Sequence, residues 1–431
     1  MAEIAIIGGG ASGMVAAIVA ARLGASVCIF EKKDRIGRKL LSTGNGRCNL
    51  SNRDMHFSHY HGSVAALLPQ LWPQMGEERI RQFWQELGID YTEGDAGKLF
   101  PRSLQAASVL NVLRRELAAL SVEIVTKTLV TQIRHGRSEY LLEVKSEEAP
   151  FKRKNVAAKA VLLCAGGKAY PKLGADGEGA ELARRLQMQV SPLRPALCRL
   201  KLQVPYLKRL AGLKLNVPAA LWIEGECRQR ETGEILFTDQ GVSGPAVLNL
   251  SRSAGEALQS GRRPVLTLDL VPEMEKGALF VYLLERKERL GGFSAEEALE
   301  GWLPKTLIPV ALAESGLSPR TGFGSLDKKE IGALAQSLKQ WEMPVLALGG
   351  WEEAQITVGG VEAGEITAQL ESRRHKGLFM AGEVLDLDGD CGGYNLQWAA
   401  GSAMIAAEAA AEYVKRAAER KPYKEEQRKI R

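Results

Sequence analysis

Two glycine-rich stretches at opposite ends of the chain are of the kind that receives an electron-rich ligand. In EIAIIGGGASGMVAAIVAARLGASVCIFEKKD, Gly8, Gly10 and Gly13 are spaced as GxGxxG. In DLDGDCGGYNLQWAAGSAMIAAEAAAEYV, Gly392 and Gly393 directly precede a run rich in Ala, Gly and Ser. Small side chains let another body approach the backbone. The first turn of a helix presents unpaired N–H groups and the positive end of its dipole. In the N-terminal stretch the first glycine permits a tight turn, the second lets the backbone approach a pyrophosphate, and the third lets helix and strand pack closely. Glu31, twenty-three residues after Gly8, suits the ribose hydroxyls and would repel a 2′-phosphate. With a strand before it, a helix after it and this acid, the fingerprint reads as a dinucleotide site with the pyrophosphate on the helix N-terminus. A glycine turn without a ligand would leave Glu31 without a role.

The fingerprint alone does not separate FAD from NAD. The C-terminal stretch favours FAD, which needs one anchor for its ADP half and another for its isoalloxazine. Glu383 is placed for hydroxyls on the ribityl or pyrophosphate side. N–H groups near Gly393, Tyr394 and Asn395 suit the flavin N1–C2=O edge, where a positive helix end would stabilise the anionic reduced ring.

These residues need elements to hold them. Ile4–Ile7 reads as a buried parallel strand, Met14–Leu23 as a helix and Ser26–Phe30 as the next strand. Residues 1–190 alternate strand and helix and form the first part of an FAD-binding domain. After Ser191-Pro192 the pattern changes to short strands (Leu200–Val204, Leu213–Val217, Ala220–Glu224, Gly233–Thr238 and Val265–Leu270), as in an antiparallel barrel over 191–271. Residues 272–340 carry helical periodicity. A strand at Pro344–Leu348 then opens the return segment, 341–431, which ends in the C-terminal helix. The expected fold is α/β: a Rossmann-like FAD-binding domain with an inserted antiparallel β-barrel and a small helical subdomain.

Composition sets outer bounds. The 431 residues call for roughly two or three domains. The chain is 45% hydrophobic and 25% charged, ordinary for a globular protein. Its net charge of +6 is concentrated in Lys415–Arg431, which holds eight bases against three acids. That tail reads as a solvated helix end, so nucleic acid is not an expected partner. Six scattered cysteines without a CxxC pair argue against a disulfide scaffold and against a metal site, and fit a reducing cytoplasm. The start lacks a signal-peptide pattern and no apolar run is long enough to span a bilayer, so no membrane association is expected. Oligomeric state stays open.

Four segments together resemble one bacterial flavoprotein family: GRKLLSTGNGRCNLSN, LLCAGGKAYPKLGADGEG, GEILFTDQGVSGPAVLNLS and GLFMAGEVLDLDGDCGGYNLQWA. The family is described as NAD(P)/FAD-dependent oxidoreductases, includes aminoacetone oxidases and 3-dehydro-bile-acid reductases, and lies in the glutathione-reductase-like FAD superfamily. The resemblance implies a role for each matching residue. Gly8, Gly10, Ala11, Ser12 and Gly13 bind the pyrophosphate, and Glu31 and Lys32 lie at the adenosine ribose. Thr43, Gly44, Asn45, Gly46, Arg47, Cys48 and Asn49 run along the ribityl and flavin. Val130 offers backbone groups to adenine. Ala165, Gly166 and Gly167 match the superfamily's A-T-G step but lack its Thr. Gly382 and Glu383 match its G-D step with Glu for Asp. Gly392, Gly393, Tyr394, Asn395 and Leu396 close over the isoalloxazine.

Catalytic candidates are few, because the reaction chemistry is largely the cofactor's. Tyr170 is a proton-donor candidate or an aromatic packed beside Pro171. Cys391 is a redox candidate or a small buried thiol. Arg47 would offset charge or bind phosphate. His56, His59 and His61 have loose ligand spacing with no acid or cysteine cluster accompanying them and read as a solvated loop. The leading expectation is NAD(P)H-dependent reduction of an activated C=C in a small molecule by hydride transfer at flavin N5, with FAD bound non-covalently. Without a second GxGxxG, NAD(P)H would be a transient co-substrate docking at the interface of insert and FAD domain. The alternatives are an amine or aminoketone oxidase releasing hydrogen peroxide, and an RNA-associated flavoprotein.

Overall fold

The structure, a computed structural model, describes residues 2–136, 139–146 and 154–429. Of the basic C-terminal run, side chains beyond Glu419 lie outside the described residues. The chain divides into two compact units, Met1–Arg194 with Gln355–Arg431, and Pro195–Ala354.

The first unit is built on a five-stranded sheet in the order Leu378–Met380, Ala160–Leu163, Ile4–Ile7, Val27–Phe30, Glu123–Val125, with all neighbours parallel. Ile4–Ile7 is central and buried throughout. It is covered on both faces, which is why it shows an unbroken apolar run rather than alternation. The helix Ala11–Arg22 packs against the helix Tyr394–Lys429. Both helices bury small residues: Ala16, Ala17 and Ala20 on one, Ala403, Ala406 and Ala410 on the other, all at 0% exposure. This close helix pairing is the structural use of the alanine-rich run. An antiparallel sheet of Thr128–His135, Tyr140–Ser146 and Lys154–Ala158 stands beside the main sheet. Two short ladders matter for the site. Ser51–Asn52 pairs with Lys98–Pro101, and Tyr60–His61 pairs with Asp388–Gly389.

The second unit holds a closed six-stranded barrel, in the order Leu200–Leu202, Gly241–Ser243, Glu226–Thr238, Lys214–Ile223, Pro264–Leu268, Trp341–Leu348. Four helices (Lys276–Leu290, Ala295–Leu299, Ile308–Glu314 and Lys328–Lys339) share a separate core around Leu283, Leu312, Phe323 and Leu334. Several barrel elements differ from expectation. The two strands expected at Leu213–Val217 and Ala220–Glu224 are one, because Pro218 is accommodated inside the strand with its carbonyl accepting the Asp269 N–H at 3.0 Å. The strand expected at Gly233–Thr238 begins at Glu226. Its first half is exposed or half-exposed throughout and carries no apolar signal. The helix Pro245–Gln259 was not anticipated.

The domain boundary placed at 341 is corrected to 355. Trp341–Leu348 pairs with Pro264–Leu268 and with Leu200–Leu202, so it is a barrel strand and not the start of the return segment. Its burial shows why: Trp341, Met343 and Val345 are buried while Glu342, Pro344 and Leu346 are exposed. That period of two belongs to an antiparallel sheet with one wet face.

Trp341 closes the barrel core, 2% exposed. It stacks on Tyr206 and Phe237 with centroids 5.6 Å away in both cases, and its Nε1 donates to the Tyr206 hydroxyl at 3.0 Å. Trp341→Ala is expected to cost about 3–5 kcal/mol, the range for emptying a large aromatic site. Urea unfolding followed by tyrosine fluorescence and far-UV circular dichroism would measure it, and a cost below about 1 kcal/mol would mean that the barrel interior collapses around the gap.

Candidate cofactor site

The helix Ala11–Arg22 starts at the end of the central strand. Gly10 occupies its N-cap with extended backbone and no side-chain cap, so the first N–H groups are left for a ligand. The three fingerprint glycines serve different needs. A Cβ on Gly8 would lie 2.5 Å from the Cys164 carbonyl oxygen, and one on Gly13 would lie 1.9 Å from the Gly8 carbonyl oxygen. Those positions are demanded by protein packing. A Cβ on Gly10 would meet nothing within 4 Å, so Gly10 faces open space of the kind an incoming phosphate needs. Ala11 is half-buried and Ser12 is 6% exposed, the latter tight against Gly382, whose Cβ would come 2.7 Å from Ser12 Oγ.

Glu31 braces this turn. Its carboxylate accepts the Gly9 N–H and the Lys33 N–H, both at 2.8 Å. A carboxylate has about four lone-pair positions, which leaves capacity for ribose hydroxyls. Lys32 is ion-paired with Asp176 and Glu178. Lys32, Lys33, Arg38, Lys127 and Lys145 line a cleft of about 420 Å³ together with Asp34, Glu178 and Leu129. The Val130 side chain is buried beside it, where the strand register slips between Val130 and Gln132.

The segment Thr43–Asn49 is a run of unusual backbone. Gly44, Asn45, Gly46 and Cys48 all have positive φ, between 54° and 83°. The Thr43 hydroxyl donates to Leu40 O at 2.7 Å, and the Cys48 N–H donates to Thr43 O at 3.0 Å. Arg47 stacks its guanidinium 4.7 Å over the Phe100 ring and donates to Gly44 O, so here it braces the loop. Burial pushes the Cys48 thiol up to about 12, which makes it unreactive. Asn49 Oδ1 and Ser51 Oγ are buried and have no hydrogen-bond partner. Buried polar atoms are normally satisfied, so these two orphans mark a place where a ligand group belongs.

Ala165, Gly166 and Gly167 follow the strand Ala160–Leu163, and Gly166 is left-handed and faces open space. Glu383 gathers several segments. Its carboxylate accepts the Thr357 N–H at 2.7 Å, the Lys39 ammonium at 2.8 Å and the Gly167 N–H at 3.4 Å. Thr357 Oγ1 in turn accepts the N–H groups of Lys168 and Ala169. Gly382 is left-handed, donates to Ser402 Oγ and accepts from Trp398 Nε1. Sequence reasoning did not single out Lys39 or Thr357. Lys39 lies inside the GRKLL motif, which was a signal; Thr357 had none.

The Gly392–Leu396 segment meets the Thr43–Asn49 loop directly. A Cβ on Gly393 would be 2.2 Å from Ser51 O and 2.9 Å from the orphaned Asn49 Oδ1. Gly392 O accepts from Asn52 Nδ2 at 2.9 Å. The Asn395 amide is turned back on its own loop, bonding both the N–H and the carbonyl of Gly389. Tyr394 is 4% exposed and its hydroxyl donates to Asp54 O. Leu396 packs on the core. Open space at Gly10 and Gly166, a bare helix start and two orphaned polar atoms under the second glycine pair are features that fit FAD.

Of the catalytic candidates, Tyr170 is half-buried with φ 62° and ψ 64°, a strained conformation for a bulky residue and of a sort that clusters at functional sites. Cys391 is half-buried in the glycine loop. The expected solvated loop around His59 and His61 is corrected: both imidazoles bond Asp390 at 2.9 Å. Among the described residues no group of His, Cys, Asp and Glu could hold a metal ion, and no helix is long and apolar enough to cross a membrane.

A family profile described as HI0933-like protein Rossmann domain matches residues 2–409. The chain is 37% identical over 415 residues to a 3-dehydro-bile acid delta(4,6)-reductase of Clostridium scindens, covering 96% of this chain and 100% of that one. It is 29% identical over 412 residues to a ribosomal RNA dihydrouridine synthase of Haemophilus influenzae, covering 94% and 97%. Among solved structures, a 3-ketosteroid delta1-dehydrogenase from Sterolibacterium denitrificans shares the fold with a TM-score of 0.50 at 12% identity, covering 95% of this chain and 99% of that one. A quinol fumarate reductase of E. coli does so with a TM-score of 0.50 at 17% identity, covering 99% and 74%.

Proposed function

The chain belongs to the HI0933-like Rossmann family and is an FAD-dependent oxidoreductase; from that premise we propose that it saturates a carbon–carbon double bond conjugated to a carbonyl in a small molecule, with NAD(P)H as electron source and FAD held non-covalently. The observation that carries this reading is the full-length likeness to two relatives whose names describe one kind of bond. A 3-dehydro bile acid with delta(4,6) unsaturation has its double bonds conjugated to the C3 carbonyl, and making dihydrouridine saturates the C5=C6 bond conjugated to the uracil C4 carbonyl. Two unlike carriers with the same electronic feature point to the enone as what is shared. The higher identity lies with the reductase of a small molecule, so that carrier is the first choice. A uracil in RNA is the second, supported by the relative at 29%.

When bound, FAD supplies a hydride carrier at N5. The chain's own residues do the rest. The Ala11–Arg22 helix start would bind the pyrophosphate and Glu31 the ribose. The N–H groups of Gly393, Tyr394 and Asn395 would serve the pyrimidine edge of the ring, where a helix N-terminus favours negative charge. Tyr170 is the candidate to hold the proton that completes saturation. Four of the six cysteines are buried and none is paired, which supports a reducing, cytoplasmic setting.

The test is an anaerobic titration with NADH and then NADPH, watching the flavin band near about 450 nm. Bleaching by either nucleotide is expected, followed by stoichiometric return of colour with a 4-en-3-one steroid. Return of colour only with uridine-containing RNA would move the acceptor to the second reading. A band that neither nucleotide bleaches would overturn the NAD(P)H dependence.

A further inference from the structure

The loop that carries Gly392 and Gly393 is tied to a neighbouring segment, and the tie is ionisable. Asp388 and Gly389 run antiparallel to Tyr60–His61, and the Asp390 N–H continues the ladder by donating to His59 O at 3.0 Å. The Asp390 carboxylate is shared by two imidazoles: Oδ1 faces His61 Nε2 and Oδ2 faces His59 Nδ1, each at 2.9 Å. The other nitrogen of His59 faces Asp54 Oδ2 at 3.1 Å. The His59 ring also stacks on Tyr394 at 4.4 Å between centroids. Tyr394 opens the long helix, and the Tyr60 hydroxyl donates to its carbonyl at 3.0 Å.

The donor inventory makes this arrangement sensitive to protons. A neutral imidazole has one N–H and one lone pair, whereas a carboxylate offers lone pairs only. His59 lies between two carboxylates with both nitrogens at hydrogen-bond distance. It satisfies both only as the two-donor cation, and loss of one proton sets a lone pair against a carboxylate oxygen. His61 meets a single carboxylate and satisfies it in either form. Burial pushes the Asp390 carboxyl up, but hydrogen bonds from His61 and His59, together with their charge, outweigh burial and hold it below its ordinary value. The other groups facing the cluster are Asp54, Tyr60 and Tyr394, with Asp386, Asp388 and Cys391 on the same loop. Burial raises Tyr60 and Tyr394, so neither phenol ionises near neutrality. Asp386 accepts the Ser63 N–H at 3.0 Å.

We propose that His59, Asp390 and His61 form a proton-dependent latch that holds the Asp388–Asn395 loop closed over the flavin, with Asp390 as the positioning residue and His59 as the proton-sensitive member. The latch rests on the reading of Gly392–Asn395 as the segment at the isoalloxazine. Because the closed loop is the one that grips FAD, proton binding at His59 and FAD binding favour each other. The grip weakens when His59 is left with a single N–H to face two carboxylates. It also weakens at acid pH once Asp390 is protonated, which its lowered value delays.

The experiment uses deflavinated full-length protein, titrated with FAD by flavin fluorescence quenching between about pH 5.5 and about pH 9. In the wild type, affinity is expected to fall about tenfold from the acid to the alkaline end, the scale of one charge-assisted hydrogen bond. His59→Gln should bind at the weak level with a flat profile. His61→Gln should bind more weakly and keep the slope. Asp54→Asn should flatten the slope, since an amide accepts or donates to suit a neutral ring, and with an Asp54 side chain 79% exposed it does not put folding at risk. A wild-type profile without slope would overturn the latch, as would a slope that survives in both His59→Gln and Asp54→Asn. Wild-type protein that quenches no FAD at any pH would instead overturn the FAD reading itself.

Discussion

A Gly10→Val protein is expected to fold, purify and be colourless. The backbone at Gly10 has φ −77° and ψ −170°, values open to any L residue, and a Cβ there meets nothing within 4 Å. The substitution therefore costs the fold little. It does place an isopropyl group over the bare start of the Ala11–Arg22 helix, where a pyrophosphate must reach the N–H groups of the first turn. Losing two charge-assisted hydrogen bonds, at about 1.5–3 kcal/mol each, amounts to at least about a hundredfold in affinity. The ratio of flavin to protein absorbance after purification, and an FAD titration of the product, would measure it. Gly13→Val is the contrasting control. Its Cβ would fall 1.9 Å from the Gly8 carbonyl oxygen, so it should fail to fold rather than merely lose colour. Gly10→Val protein that stays fully yellow would remove the pyrophosphate from this helix.

Local chemistry was legible in the sequence where one short stretch contains everything its role requires. Ile4–Ile7 is apolar on both faces because both faces are covered, and the fingerprint, its helix and Glu31 lie within one strand–helix–strand unit. Legibility failed where the signal was half-solvated or long-range. Glu226–Gly233 pairs with Lys214–Ile223 on either side of a bulge at Arg228, yet leaves its side chains exposed or half-exposed, so it carried no apolar pattern. Trp341–Leu348 alternates as a barrel strand should, but its two neighbours lie about 75 and about 145 residues earlier, and position in the chain suggested the returning domain instead. Glu383 was recognised, whereas the ammonium that meets it belongs to Lys39, 344 residues away. His59 has Asp54 five residues before it, but the acid that His59 and His61 share is Asp390, brought in by the pairing of Tyr60–His61 with Asp388–Gly389. Residue types declare what they can bond, and only the tertiary register chooses the partner.

Gly393→Ala is expected to damage both the fold and the flavin site, and so to separate the two anchors of the cofactor. Gly393 has φ +102°, a region that residues with a Cβ avoid at a cost of about 1–3 kcal/mol. The added carbon would come 2.2 Å from Ser51 O and 2.5 Å from Ser51 C. Neither atom is a flexible side-chain tip. Ser51 is fully buried in a strand paired with Leu99, so the strand cannot retreat and the glycine loop must lift. Together with overpacking at about 1–3 kcal/mol, the loss should be about 4 kcal/mol, seen as a drop in thermal midpoint of the apoprotein. Lifting the loop also withdraws the Gly393 and Tyr394 N–H groups and the start of the long helix from whatever lies over Asn49. FAD affinity should therefore fall further than the thermal shift alone explains. Gly392→Ala is the milder neighbour, because its nearest contacts are side-chain atoms, the Tyr394 ring edge at 3.0 Å and Asn52 Nδ2 at 3.1 Å, rather than backbone, although its φ of +155° also strains a residue with a Cβ. If Gly393→Ala is destabilised yet binds FAD with wild-type affinity, the isoalloxazine does not lie beneath this loop. In that case Gly10→Val would still report on the ADP half, and the two orphaned atoms at Asn49 and Ser51 would need a different ligand.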